Sequence, residues 1–157
     1  MAMTEIFLFL FVVLIGITLG AGMYESRIVL PMWFNKNSNN RWLVNFENMK
    51  NIDSGRKFWG MVSTVPLTLV TMVNIFFAVK SNGQIHYWWL TATLIILIER
   101  LGTFTFFIPT AIKLQKGQTL VAEKQHSLIS RWVNLNYVRN FLTFIAFVIS
   151  LKALTYL

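Results

Sequence analysis

Four ionisable side chains lie inside stretches that are otherwise too apolar to hold them. Glu99 and Arg100 stand at the centre of "LIILIERLGTFTFFIP", Glu25 sits in "GAGMYESRIVLPMW", and Arg139 in "RWVNLNYVRN". A charged side chain at the middle of a membrane helix costs about 2.5 to 3.5 kcal/mol, so Glu99 and Arg100 together oppose insertion by about 5 to 7 kcal/mol unless something compensates them. Adjacent residues on a helix point about 100° apart, so these two are expected to find partners on other helices rather than each other, with Glu25 and Arg139 as the candidates. Two carboxylates and two guanidiniums can neutralise one another if the helices pack. Ionisable groups at membrane depth commonly mark a ligand, ion or proton site, and the neutral polar residues Thr103 and Asn136 nearby could hydrogen-bond whatever enters. The same set would also serve as an ion-pair network that fixes helix register.

Composition makes the bilayer the relevant solvent. The chain has 157 residues, of which 55% are hydrophobic, 15% aromatic and only 13% charged, with a mean hydropathy of +0.57. That is too apolar for a domain with a solvated surface, and it implies an integral membrane protein with lipid as its first partner. The net charge of +8 is not arranged as a basic stripe interleaved with base-stacking aromatics, so no nucleic-acid partner is expected. With no cysteine, disulfides, thiolate metal sites and iron–sulfur clusters are excluded. His86 and His126 are expected on opposite membrane faces, which rules out a shared two-histidine metal site.

Four apolar segments, at about 5–30, 58–79, 87–112 and 132–156, are each near or above the ~20 residues needed to cross the hydrocarbon. The fold class is therefore all-α, a polytopic bundle of four transmembrane helices, with residues 1–157 forming one transmembrane domain. Pro31 is expected to close the first helix and Ser81-Asn82-Gly83 to form a tight turn between the second and third. The opening "MAMTE" has no basic residue and the apolar run after it is too long for a signal peptide, so the first segment is expected to be an uncleaved helix. Trp33, Trp59 and Trp132 are expected at one interface and Tyr87, Trp88, Trp89 and Tyr156 at the other. Nine Lys and Arg residues in the first and third connections (36, 41, 50, 56, 57, 113, 116, 124, 131) face only Lys80 and Lys152 on the other side. Both connections are thus expected in the cytoplasm and both termini outside, in a plasma or inner membrane. The polar, Asn-rich first connection should be partly ordered through Trp42, Leu43 and Phe46, and residues 119–131 should form an amphipathic helix leading into the last span.

These elements bring the charges to similar depth. At 1.5 Å per residue, Glu25 lies about 9 Å inside Pro31, Arg139 about 10 Å inside Trp132, and Glu99 and Arg100 about 14 Å from Pro109, all in the cytoplasmic half. Trp132, Asn136, Arg139, Thr143, Ala146 and Ser150 form one small or polar stripe on the last helix. Gly60, Thr64, Thr71, Asn74 and Ala78 do so on the second, and Thr18, Gly22 and Glu25 on the first. Glu99 and Thr103 continue the ring on the third. Asn136, Thr103, Thr143 and Thr71 read as polar groups in excess of what the charges need, and hence as the lining of a cavity. Met23, Met61, Met72, Trp59 and Phe104, Phe106 and Phe107 could wall it. The separate Gly16-x-x-x-Gly20 pair points to close helix packing, and Arg27 can snorkel to the interface.

The segments "GAGMYESRIVLPMW", "GRKFWGMVS", "IERLGTFTFFIPTAIKLQ" and "RWVNLNYVRN" together resemble the anthrone oxygenase-like family of small four-helix membrane proteins, in order and spacing over nearly the whole chain. Members often carry Trp-x-x-x-His-x-x-Arg at the start of the last helix. Here Trp132 and Arg139 match, and Asn136 stands where the family has His. The resemblance implies a cofactor-free oxygenase that forms a carbanion with a base and lets it react with dioxygen, and His would be the natural base. Asn136 has no proton to exchange near neutral pH, so Glu25 or Glu99 would have to serve instead. Two other functions fit the residues. One is a proton-coupled small-solute transporter built on Glu25, although buried arginines favour an anionic or neutral ligand. The other is a pocket protein without catalysis, binding an aromatic, quinone-like or anionic molecule, or acting as an accessory subunit with a protein partner or a second copy.

Overall fold

The computed structural model describes residues 3–116 and 121–157, apart from the side chain of Arg56. Four helices are long and apolar enough to cross a membrane: Met3–Trp33, Lys57–Lys80, Gln84–Gln115 and Ala122–Leu154. Within each, only 22 to 39% of the most apolar window is buried in the bundle. Phe9, Leu69, Ile98 and Phe141 are among the many large side chains left facing outward, a surface suited to lipid rather than water. The protein is a multi-pass, all-α integral membrane protein with four spans.

The spans run further than their apolar cores suggest. Pro31 does not close the first helix, which continues one turn to Trp33, and the third passes Pro109 to Gln115. Each of the chain's three prolines follows a π-helical stretch: Glu25–Val29 before Pro31, Gly55–Thr64 before Pro66, and Thr103–Phe107 before Pro109. Proline donates no N–H and its ring crowds the carbonyl four residues back. Widening the preceding turns relieves that crowding without ending the helix. The last span and its amphipathic approach form one continuous helix, described from Ala122; Thr119 and Leu120 lie outside the described residues.

Gly83 makes the turn between the second and third helices, at φ 74°, where a side chain would be strained. The first connection is more ordered than its composition suggests. Phe34–Lys36 and Trp42–Val44 pair as an antiparallel hairpin with Phe34 opposite Val44, followed by the helix Phe46–Ile52. Asn45 caps that helix by accepting from the Asn48 N–H at 3.0 Å. The Trp42 N–H donates to His126 Nδ1 at 3.0 Å, which fastens the hairpin to the last helix. Trp42 and Phe46 pack on the bundle as expected, whereas Leu43 is exposed.

Two apolar clusters form the core. One holds Leu8, Phe11, Ile15, Leu67, Trp89, Ile96 and Ala146, the other Leu30, Trp33, Phe34, Met49, Phe107, Leu114 and Trp132. On the first, third and fourth helices, a belt of buried polar residues falls between the two clusters in sequence: Thr18 and Glu25, Glu99 to Thr103, and Asn136 to Thr143, with Thr93, Thr110, Gln125 and Ser150 buried outside it. The second helix brings Ser63 to the same belt, where its hydroxyl meets that of Thr18 at 2.7 Å. Because Thr18 already donates to the Leu14 carbonyl, Ser63 is the donor.

Two expectations are corrected. Trp33, Trp132 and Trp89 are buried in the core rather than interfacial; the Trp89 Nε1–H donates to Asn74 Oδ1 at 2.9 Å while Asn74 donates to the Phe7 carbonyl at 3.1 Å. Satisfying that buried amide draws the indole inward. The Gly16/Gly20 pair is not a packing motif as a unit: a Cβ at Gly16 would touch Phe147 at 3.2 Å, but one at Gly20 meets nothing. The close approach is at Gly22, where a Cβ would overlap the Asn140 side chain.

Candidate functional site

The belt divides into two ion pairs. Arg139 on the last helix donates through Nη2 to Glu25 Oε2 on the first at 2.6 Å, so the two residues whose depth made them candidate partners for Glu99 and Arg100 pair with each other instead. Trp59 Nε1 donates to the other carboxylate oxygen at 3.0 Å, so Glu25 is held from the second and fourth helices together. The Arg139 guanidinium also lies 4.5 Å from the Phe107 ring centre and 5.2 Å from that of Trp59, positions in which a cation gains from the ring faces. The Phe107 and Trp132 rings meet edge-on at 5.3 Å.

Glu99 and Arg100 pair with each other, contrary to expectation. Both Nε and Nη2 of Arg100 reach Glu99 Oε2 at 2.5 Å, and Thr103 Oγ1 donates to Oε1 at 3.1 Å. Neighbouring Cβ vectors do diverge, but two long side chains can bend to the same side, and burial of both makes an unpaired charge the worse alternative. Among the described residues no ion pair joins this couple to Glu25 and Arg139. Arg100 Nη1 keeps no hydrogen-bond partner.

The neutral polar residues are less free than their number suggested. Thr71 and Thr143 donate to carbonyls four residues back in their own helices, and Thr103 is committed to Glu99. Asn136 is different. It is buried, its Nδ2 donates to Ser26 Oγ at 2.8 Å, and its Oδ1 has no partner. Trp132 Nε1, one turn earlier on the same stripe, is likewise buried without a partner. Native structures rarely leave such groups unmet.

Next to Asn136 lies a cleft of about 350 Å³ between the end of the first helix, the hairpin and the last helix. Ser26, Phe34, Lys36, Trp42, Val133 and Tyr137 line it. Its volume is within the ~300–1,000 Å³ range of small-molecule sites. It lies on the Ser26 side of Asn136, not between Asn136 and Glu99, and neither Asn136 nor the Glu25–Arg139 pair lines it. Met23, Met61, Met72 and Phe104 are exposed and wall nothing; Trp59 and Phe107 do contact the charged belt. Sequence reasoning missed Ser26 and Asn140. Asn140 donates to Ser26 Oγ at 2.8 Å and to the Gly22 carbonyl at 3.1 Å. The signal was present in two spacings of four, Asn136 to Asn140 and Gly22 to Ser26. Among the described residues no group of His, Asp, Glu or Cys could hold a metal ion.

Residues 49–149, 101 of the 157, match the family model described as anthrone oxygenase. The chain belongs to the anthrone oxygenase family. The matched stretch carries Trp59, Glu99, Arg100, Phe107, Trp132, Asn136 and Arg139, while Glu25 and Ser26 lie on the first helix outside it. No curated protein and no solved structure gives a significant match.

Proposed function

We propose that this family member binds a small aromatic, quinone-like or anionic molecule in the cleft beside Ser26 and Asn136, within the cytoplasmic half of its spans. The observation that carries the proposal is the unpartnered Asn136 Oδ1, bonded through its own amide to a serine that lines the cleft. A buried acceptor left unmet costs about 1 to 3 kcal/mol; Asn136 does not itself line the cleft, so a ligand donor would recover that cost by reaching past Ser26. Aromatic walls at Phe34, Trp42 and Tyr137 suit a flat ring system, and Lys36 at the rim suits a negative or carbonyl-bearing edge. Trp132, Arg139 and Glu25 form the second layer; Glu99, Arg100 and Thr103 contribute to the belt without lining this cleft.

Binding is favoured over turnover by the state of the carboxylates. Carbanion chemistry needs a base, yet Glu25 and Glu99 are each engaged by a guanidinium, and the position occupied by His in relatives is Asn136. The same pairing disfavours a proton-coupled transporter that uses Glu25. A role as accessory subunit, with another protein or a second copy, would place the exposed hairpin and Phe46–Ile52 helix in contact with a partner. We place these elements in the cytoplasm, in a plasma or inner membrane, on the Lys and Arg imbalance.

The test is titration of the purified full-length protein in detergent with an anthrone and with anthraquinone, following tryptophan fluorescence and dissolved oxygen together. Saturable quenching without oxygen uptake is expected. Oxygen uptake coupled to anthrone loss would establish the oxygenase instead, and no quenching by either compound would remove the binding role.

A further inference from the structure

We infer that His126 is an acid-sensitive latch for the hairpin wall of the cleft. Phe34, Lys36 and Trp42 of the hairpin line the cleft, and the latch holds that wall whatever the cleft contains, so it does not depend on the binding role proposed above. The Asn37 N–H donates to the Arg41 carbonyl at 3.0 Å and the Asn45 N–H to the Trp33 carbonyl at 2.7 Å. Hydrogen-bonded pairs alternate along an antiparallel ladder, so with bonds at 37/41 and 33/45 the pair of Lys36 with Trp42 is an unbonded one. The Trp42 N–H therefore points away from its partner strand, and the acceptor it meets is His126 Nδ1 at 3.0 Å.

A backbone amide can only donate, so Nδ1 must accept, which makes the ring neutral with its proton on Nε2. Protonation would set a second donor against the Trp42 N–H and abolish the bond. The imidazole is only half-buried, and a proton from water can reach it. The ionisable groups that the hairpin, the end of the third helix and the first turn of the last helix bring to this end of the bundle are Lys36, Arg41, Lys113, Lys116, Glu123 and Lys124. None of these residue types ordinarily changes charge between about pH 5 and 8, whereas histidine does. Among the described residues Glu123 makes no ion pair with the ring, so no salt bridge would replace the lost bond. Acid thus frees the Trp42 edge, while Phe34, buried edge-on to Trp132 at 6.3 Å, keeps the base of the hairpin in place. The wall opens at its rim without detaching.

The experiment is hydrogen–deuterium exchange of the full-length protein in detergent at about pH 7.5 and about pH 5.5, either side of the histidine range, with exchange times scaled to the chemical rate at each pH. Protection in peptides covering residues 34–44 is expected to fall about tenfold in acid, the equivalent of one net hydrogen bond. Peptides covering residues 8–15, in the buried core, should not change. Nitrogen-15 shifts of the His126 ring should titrate with the same midpoint as the loss of protection. His126→Asn has no proton to take up, so its hairpin should be equally protected at both pH values, whether that protection is high or low. Unchanged protection in wild type, a loss shared by residues 8–15, separate midpoints, or an acid-dependent loss that persists in His126→Asn would each overturn the latch. The anthraquinone titration reads the binding role separately, so either can fail without the other.

Discussion

Arg139 is engaged by Glu25 and by the faces of two aromatic rings, so its removal strands a buried carboxylate. Arg139→Ala is expected to destabilise the protein by roughly 3 to 5 kcal/mol. Lys152→Ala, which loses only an exposed lysine lying 4.8 Å from the Tyr156 ring centre, should cost no more than about 1 kcal/mol. Detergent melting temperatures report the difference; matched values would contradict burial of the Glu25–Arg139 pair. The similar depth of the four charges was legible in the sequence, because depth along a helix follows from residue count. The pairing of Glu25 with Arg139 was not, since both were expected to partner Glu99 and Arg100. Nor was that of Glu99 with Arg100, since a helical projection gives the directions of Cβ atoms and not the reach of an arginine. The threonines misled for another reason. A hydroxyl on a helix can satisfy itself on the carbonyl four residues back, as Thr71 and Thr143 do, and so need not signal a cavity. Asn136 has two polar ends and could not satisfy both locally.

At the scale of elements, periodicity located all four spans and the buried stripes of the first, second and last helices. Their ends were harder to read. Proline ordinarily ends or kinks a helix, but here the chain takes up Pro31, Pro66 and Pro109 by widening the turns before them. Two of these widened stretches begin at belt residues: Glu25 opens one and Thr103 another. A one-residue change in helical register alters which residues share a face, so an ideal helical wheel loses accuracy at the belt itself. The hairpin was hidden because strands of three residues, Phe-Asn-Lys and Trp-Leu-Val, are too short to show an alternating pattern. Its order comes from tertiary contacts, with Phe34 edge-on to Trp132 at 6.3 Å and the Trp42 N–H on His126. The hairpin completes the cleft through Phe34, Lys36 and Trp42, which lie far from Val133 and Tyr137 in sequence.

For the whole molecule, composition sufficed for the membrane and the charge distribution predicts an orientation. A reporter fused after Leu157 should lie outside the cytoplasm, and Lys36 and Lys124 should be labelled from the cytoplasmic side alone. Labelling from the opposite side would invert the bundle and place the cleft near the outer interface. The proposed site draws on three elements beside Asn136, and that residue is where its role can be read most directly. Asn136 carries no charge, so Asn136→Leu leaves both ion pairs intact while removing the amide and its unpartnered oxygen. The central measurement is the affinity of anthraquinone for Asn136→Leu beside wild type, by tryptophan quenching, with melting temperatures taken on the same samples. A fall of at least about tenfold in affinity, with melting within a few degrees of wild type, is the predicted result. Unchanged affinity in a folded Asn136→Leu protein would contradict the claim that the belt and its cleft form a binding site.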